Sequence, residues 1–256
     1  MGQLHRTVSG DASNPPVLLL HGWGSSAENM ATIARGLEAD YRVVNVDLPG
    51  HGLSPPPNEP LGVPEHAALV ARLIETDLNG PVTIIGHSNG GRIALFMASH
   101  DDFKFLIHRL VLVSPSGVTP RRSAGYHARR LLASTLKAPF TLLPGRLRAF
   151  GLDWLRHSLL WRALGSSDYR TLSGTMRETF VKTVTHHLDE QVAGIGVPTL
   201  LFWGENDTAV SRRQMEFLKT HIPDAGLVVL PDAGHYAYLD EPATFLAATR
   251  HFLAHT

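Results

Sequence analysis

The chain has 256 residues, 43% of them hydrophobic and 18% charged, with 23 basic residues against 23 acidic ones and no cysteine. The missing thiols exclude disulfides, thiolate metal sites and cysteine nucleophiles. A formal net charge of zero gives no global field to attract nucleic acid.

The first segment, Met1 to Pro16, has no charged-then-apolar leader, so a cytoplasmic protein is the expectation. Six short apolar runs then recur: Val17–Leu20, Val43–Val46, Val82–Ile85, Leu110–Val113, Thr199–Phe202 and Leu227–Leu230. Each is too short for a helix and mostly apolar, as a strand buried on both faces must be. Amphipathic helical patterns alternate with them, over Ser26–Leu37, His66–Leu78, Gly90–Ala98, Ser211–Ile222 and Glu241–Ala254. The proline-rich stretch Leu53–Pro64 reads as a surface loop, because proline removes backbone donors. Alternating strands and helices predict an α/β fold, with a mostly parallel central sheet and helices on both faces. No apolar run approaches the roughly 20 residues needed to span a bilayer, so no stable membrane insertion is expected.

Between Ser116 and about Ala193 the alternation stops. Helical patterns occupy Arg122–Leu136, Leu147–Leu164 and Gly174–Val192, and a structureless loop of that length is implausible in a compact domain. The expected organisation is a core of residues 1–115 and 194–256 with an inserted helical cap, 116–193. From Ser116 to Val192 there are 12 Lys and Arg against 5 Asp and Glu. That bias reads as a solvated helical surface, with steering of anionic substrates the sharper alternative.

"GHSNGG", residues 86 to 91, lies between an apolar strand and a helix and contains G-x-S-x-G. Such a turn can cradle a phosphate or hold out a nucleophile. There is no G-x-G-x-x-G and no P-loop lysine, so Ser88 is the candidate nucleophile, with small neighbours that let the chain turn sharply. A serine hydroxyl needs a base, and the base an orienting acid. His235 follows the last apolar run and Asp207 the one before it. Glu205 and Asp232 are competing carboxylates: Glu205 is nearer the strand end, and Asp232 is too close to His235 in sequence to orient its ring. Asp47, in "DLPGHG", is read as bracing a turn, and His21 as hydrogen-bonding within its own. His87 flanks Ser88 but points the other way along the turn. The remaining histidines, among them His5, His66, His100, His108 and His221, read as exposed bystanders, as do His186 and His187. An oxyanion needs N–H donors; the backbone of Asn89 and of Trp23, in "HGWGSS", can supply them. No H-E-x-x-H or comparable metal spacing is present.

"LLLHGWGSS", "VDLPGHGLS", "GHSNGG", "WGENDTAV" and "PDAGHY" together resemble the α/β-hydrolase superfamily, in its compact carboxylesterase branch with a helical cap. The resemblance implies Ser88 as nucleophile, His235 as base then acid, Asp207 as orienting carboxylate, and Trp23 and Asn89 as oxyanion donors, with no cofactor and no metal. It implies a small-molecule ester substrate cleaved through an acyl-enzyme; a lactonase, thioesterase, C–C bond hydrolase or ligand receptor on the same fold is the alternative. Relatives that use an aspartate nucleophile differ at position 88. Asn89 stands where Met, Leu or Phe is more usual. Nothing in the sequence decides the oligomeric state.

Overall fold

In the computed structural model of the protein, the described residues are 4–78, 80–121 and 174–255, with isolated positions at 131, 135, 139, 144, 145, 147 and 172. Apart from positions 131, 135 and 147, the helices expected over Arg122–Leu136 and Leu147–Leu164 lie outside them. The chain divides into two compact units, Met1–Pro120 with Glu178–Thr256, and Arg121–Arg177.

The first unit is built on a seven-stranded sheet: β1 (Arg6–Ser9), β2 (Pro16–Leu20), β3 (Arg42–Val46), β4 (Val82–His87), β5 (Ile107–Val113), β6 (Thr199–Gly204) and β7 (Ala225–Leu230), in the spatial order β1-β3-β2-β4-β5-β6-β7. β1 runs antiparallel to β3, and every other pairing is parallel. The mostly parallel sheet follows the sequence expectation. β1 was not expected, because "RTVS" is short, half-exposed and carries no apolar run. A strand of that kind suits a sheet edge, where unpaired backbone invites association.

The described helices are α1 (Ala31–Leu37), α2 (Val63–Asp77), α3 (Asn89–Ser99), α4 (Gly174–Val184), α5 (Arg212–His221), α6 (Ala237–Asp240) and α7 (Pro242–His255). α2 takes in the end of the proline-rich stretch: Pro64 sits in its first turn, where a missing N–H costs nothing. The Glu65 carboxylate accepts the Gly62 N–H at 2.7 Å. α4 stops at Val184, short of the expected Val192, and a 3-10 turn covers Val192–Gly194.

Successive strand residues point to opposite faces, and the core divides accordingly. Leu18, Leu20, Ile84, Leu112 and Leu201 pack with α2, α3 and α5 on one face. Val17, Leu19, Ile85, Val111 and Phe202 pack with α1 and α7 on the other. The parallel register brings the ends of β2, β4, β5, β6 and β7 to one edge of the sheet. The loops starting at residues 21, 88, 114, 205 and 231 therefore leave from a single edge, where open α/β sheets bind their ligands. No described helix is long and apolar enough to cross a membrane.

Candidate active site

Ser88 joins β4 to α3 in a left-handed conformation, φ 50 and ψ −107. A non-glycine residue there costs on the order of 1–3 kcal/mol, and survives only where its surroundings over-determine it. They do so from several directions. The Ser88 N–H donates to the Val113 carbonyl at 3.0 Å. The Ser88 carbonyl accepts the N–H groups of Arg92 and Ser116, each at 3.0 Å, and the Ser116 hydroxyl at 3.1 Å. A Cβ on Gly90 would lie 2.1 Å from the Leu20 carbonyl oxygen, and one on Gly86 would lie 2.8 Å from the Gly91 Cα. Only glycines let β4, α3 and the end of β2 approach so closely. The half-buried Ser88 hydroxyl makes no hydrogen bond among the described residues.

Asp207 and His235 meet across the loops that follow β6 and β7. His235 Nδ1 lies 2.9 Å from Asp207 Oδ2. The other carboxylate oxygen accepts the N–H groups of Ala209 at 2.7 Å and Val210 at 3.0 Å. Burial alone would raise the Asp207 pKa. The His235 and Val210 hydrogen bonds, the nearby imidazole and the Ser114 hydroxyl outweigh it and hold the carboxyl below its usual range. An ionised Asp207 accepts a hydrogen bond from the His235 Nδ1–H, which leaves the lone pair on Nε2. The two competing acids stand apart. Glu205 and Asp232 are exposed, and neither bonds to His235.

No hydrogen bond joins Ser88 to His235 among the described residues; such bonds are often long until a substrate is bound. The link between the two sides is His87. Its ring is fully buried and lies 4.8 Å from that of His235, centroid to centroid. Its Nε2–H donates to the His235 carbonyl at 3.0 Å. Burial, reinforced by the neighbouring His235, lowers its pKa to about 3, so the ring is neutral and its one proton is on Nε2. Sequence reading had His87 point away from the Ser88 side chain, but had no means to find the bond to a carbonyl 148 residues further on.

The turn after β2 borders the same space. A Cβ on Gly22 would meet His87 Nδ1 at 2.8 Å and Ser88 Cβ at 3.2 Å. His21 shapes this turn: its Nδ1–H donates to the Gly22 carbonyl at 2.7 Å, and its Nε2 accepts the Leu48 N–H at 3.0 Å. Burial lowers its pKa to about 4 and keeps it neutral. The N–H groups of Trp23 and Asn89 donate to no protein acceptor among the described residues. The Trp23 indole packs edge-on against His51 at 4.9 Å and Phe180 of α4 at 5.0 Å. Phe140, Phe150, Trp154, Leu155 and Trp161, large apolar residues of the expected cap, lie outside the described residues. Asp47 braces its turn as expected, accepting the N–H groups of Ala27 and Leu53. His66 does not match its reading as an exposed bystander: it is buried on α2 and donates to the Gly62 carbonyl at 2.7 Å. Among the described residues, no group of three or more His, Asp or Glu side chains is placed to hold a metal ion.

Among the described residues, the arrangement thus offers a hydroxyl without a hydrogen bond, a carboxylate-bound imidazole and two backbone N–H groups without an acceptor. Comparison with known proteins agrees with the fold. The model of the alpha/beta hydrolase fold family matches residues 15–242. The chain is 27% identical to a pimeloyl-[acyl-carrier protein] methyl ester esterase of Nitrosospira multiformis, over 96% of this chain and 97% of that one. It is 27% identical to the mouse sn-1-specific diacylglycerol lipase ABHD11, over 98% of this chain and 84% of the lipase. Among solved structures, the enol-lactonase of Burkholderia xenovorans superposes with a TM-score of 0.73 at 22% identity, covering 98% of this chain and 96% of the lactonase. That last likeness is one of fold.

Proposed function

We propose, from the premise that this chain belongs to the alpha/beta hydrolase fold family, that it is a serine carboxylesterase acting on small to medium hydrophobic esters. The observation that carries this reading is the Ser88 hydroxyl, without a hydrogen bond among the described residues, in a strained turn whose neighbour His87 lies 4.8 Å, ring to ring, from the His235 that binds Asp207. The esterases among the relatives support ester cleavage over other hydrolytic chemistry.

In this reading His235 Nε2 takes the Ser88 proton as Oγ attacks the ester carbonyl carbon. The oxyanion accepts hydrogen bonds from the Trp23 and Asn89 N–H groups. The tetrahedral intermediate collapses, the C–O bond to the alcohol breaks, and the alcohol leaves with the proton from His235. Water, deprotonated by His235, then attacks the acyl-enzyme; the acyl C–Oγ bond breaks, His235 returns the proton to Ser88 Oγ, and the acid leaves. Asp207 holds the imidazole in the required tautomer throughout. Each oxyanion donor contributes on the order of 3 kcal/mol to the transition state. The division into a core of 1–115 and 194–256 and a cap of 116–193 is part of the same proposal.

The test is a substrate panel of short-chain aryl esters, lactones, thioesters and a dienoic C–C cleavage substrate. The expected result is fastest turnover of the esters, abolished by Ser88→Ala with the fold intact. Undiminished activity in Ser88→Ala would overturn the assignment. Faster turnover of another bond class would keep Ser88 and replace the substrate.

A further inference from the structure

Asn89 carries an unexplained side chain. It is the first residue of α3, an eleven-residue helix, and is 5% exposed. Its amide makes no hydrogen bond among the described residues. A buried amide without partners costs on the order of 1–3 kcal/mol, so an apolar residue would be the less costly choice there. Yet neither amide atom is sealed off, unlike the unpartnered His87 Nδ1 and Arg92 Nε nearby. The rest of α3 from Gly90 to Ala98 is buried. At this end of the helix it is Ser88 and Ser116 that keep some exposure. Asn89 follows Ser88 directly in the chain, so its amide starts one residue from the candidate nucleophile.

The local field decides which amide atom is of use there. The N-terminus of α3 is its positive end. One turn on, Arg92 is 5% exposed and forms no ion pair with a carboxylate among the described residues; it donates to the Thr183 carbonyl. A positive field favours an electron-rich substrate atom, and Nδ2–H is the amide group able to bind one.

We infer that the Asn89 amide is a specificity-determining substrate contact, donating to an acceptor oxygen carried within two or three bonds of the ester group. The substrate class is then apolar esters that bear one such ether, keto or hydroxyl oxygen, in preference to plain alkyl esters. This rests on the esterase reading above and sharpens it.

Two isosteric pairs test the inference: p-nitrophenyl methoxyacetate against p-nitrophenyl butyrate for the acyl side, and 2-methoxyethyl butyrate against butyl butyrate for the alcohol side. Each kcat/KM is divided by the ester's alkaline hydrolysis rate constant. The unmodified protein is expected to favour the oxygen-bearing member of one pair by about tenfold, the worth of one hydrogen bond. Asn89→Leu brings that ratio to near unity, and Asn89→Asp, of the same shape but without the donor, brings it to unity or below. Either variant suffices if the other fails to fold. Ratios within twofold of unity in the unmodified protein, or a preference that survives both substitutions, would overturn the inference. Labelling of Ser88 by a fluorophosphonate alongside flat ratios defeats this inference alone. Absence of both labelling and turnover defeats it together with the esterase reading.

Discussion

The two sides of the candidate site are built by different means. On the Ser88 side the backbone does the positioning: β4, α3 and the end of β2 touch through glycines, and the strained serine is held by three carbonyl and N–H contacts. On the Asp207–His235 side, polar side chains do it: a carboxylate accepts hydrogen bonds from an imidazole and from two backbone N–H groups, and a buried histidine holds the His235 carbonyl. Steric positioning and folding cannot be separated. Hydrogen-bonded positioning can fail while the fold survives. Substitutions on the two sides should therefore fail differently.

The largest separation is expected at Asp207. Asp207→Asn removes the negative charge and the tautomer control while keeping shape, and kcat on an aryl ester falls by about 10⁴ with an unchanged circular dichroism spectrum. Glu205→Gln and Asp232→Asn, on exposed carboxylates that make no hydrogen bond to His235 among the described residues, change it by less than about twofold. Equal losses at all three would remove the distinction between the two sides. Gly90→Ala is the counterpart on the Ser88 side. Its Cβ lies 2.1 Å from a backbone oxygen that cannot swing aside. A loss of about 3 kcal/mol or more in urea unfolding follows, with activity lost as stability is lost.

Much of this contrast was legible in the sequence, though unevenly. The strand–turn–helix around Ser88 is local, so "GHSNGG" between an apolar run and a helical pattern marks it directly. The partnership of Asp207 with His235 is 28 residues apart, but chain order and position after successive strands point to it. What stayed hidden depends on contacts with no sequence periodicity. β1 exists because β3 offers it an edge, and "RTVS" itself carries no strand signal. His66 is buried by tertiary packing of α2, and the reach of His87 to the His235 carbonyl exists only once β4 and the loop after β7 are neighbours.

The hidden histidines give a smaller prediction. His21 and His87 are neutral in the fold, with pKa lowered by burial to about 4 and about 3 from 6.5. As pH falls below about 6.5 the unfolded chain takes up protons that the native one refuses. Stability therefore declines down to about pH 4, by up to about 1.4 kcal/mol per pH unit for each histidine. Urea unfolding between pH 7 and pH 4.5 measures the slope. His87→Gln, which keeps a donor for the His235 carbonyl, is expected to make it shallower. An unchanged slope in that variant would contradict the buried neutral assignment.

The smallest effect sharpens the comparison from the other direction. Ser88→Gly relieves the φ of 50 and is expected to raise stability by about 1 kcal/mol in urea unfolding while abolishing turnover. A stability loss there would mean that the turn stores no strain.

The central claim, that Ser88 is an activated nucleophile served by His235 and Asp207, is tested most directly by a fluorophosphonate probe with the modified residue located by mass spectrometry. The account predicts a single adduct on Ser88, formed far more slowly in His235→Ala and Asp207→Asn at the same pH. An unmodified Ser88, or labelling at an undiminished rate in His235→Ala, would contradict it.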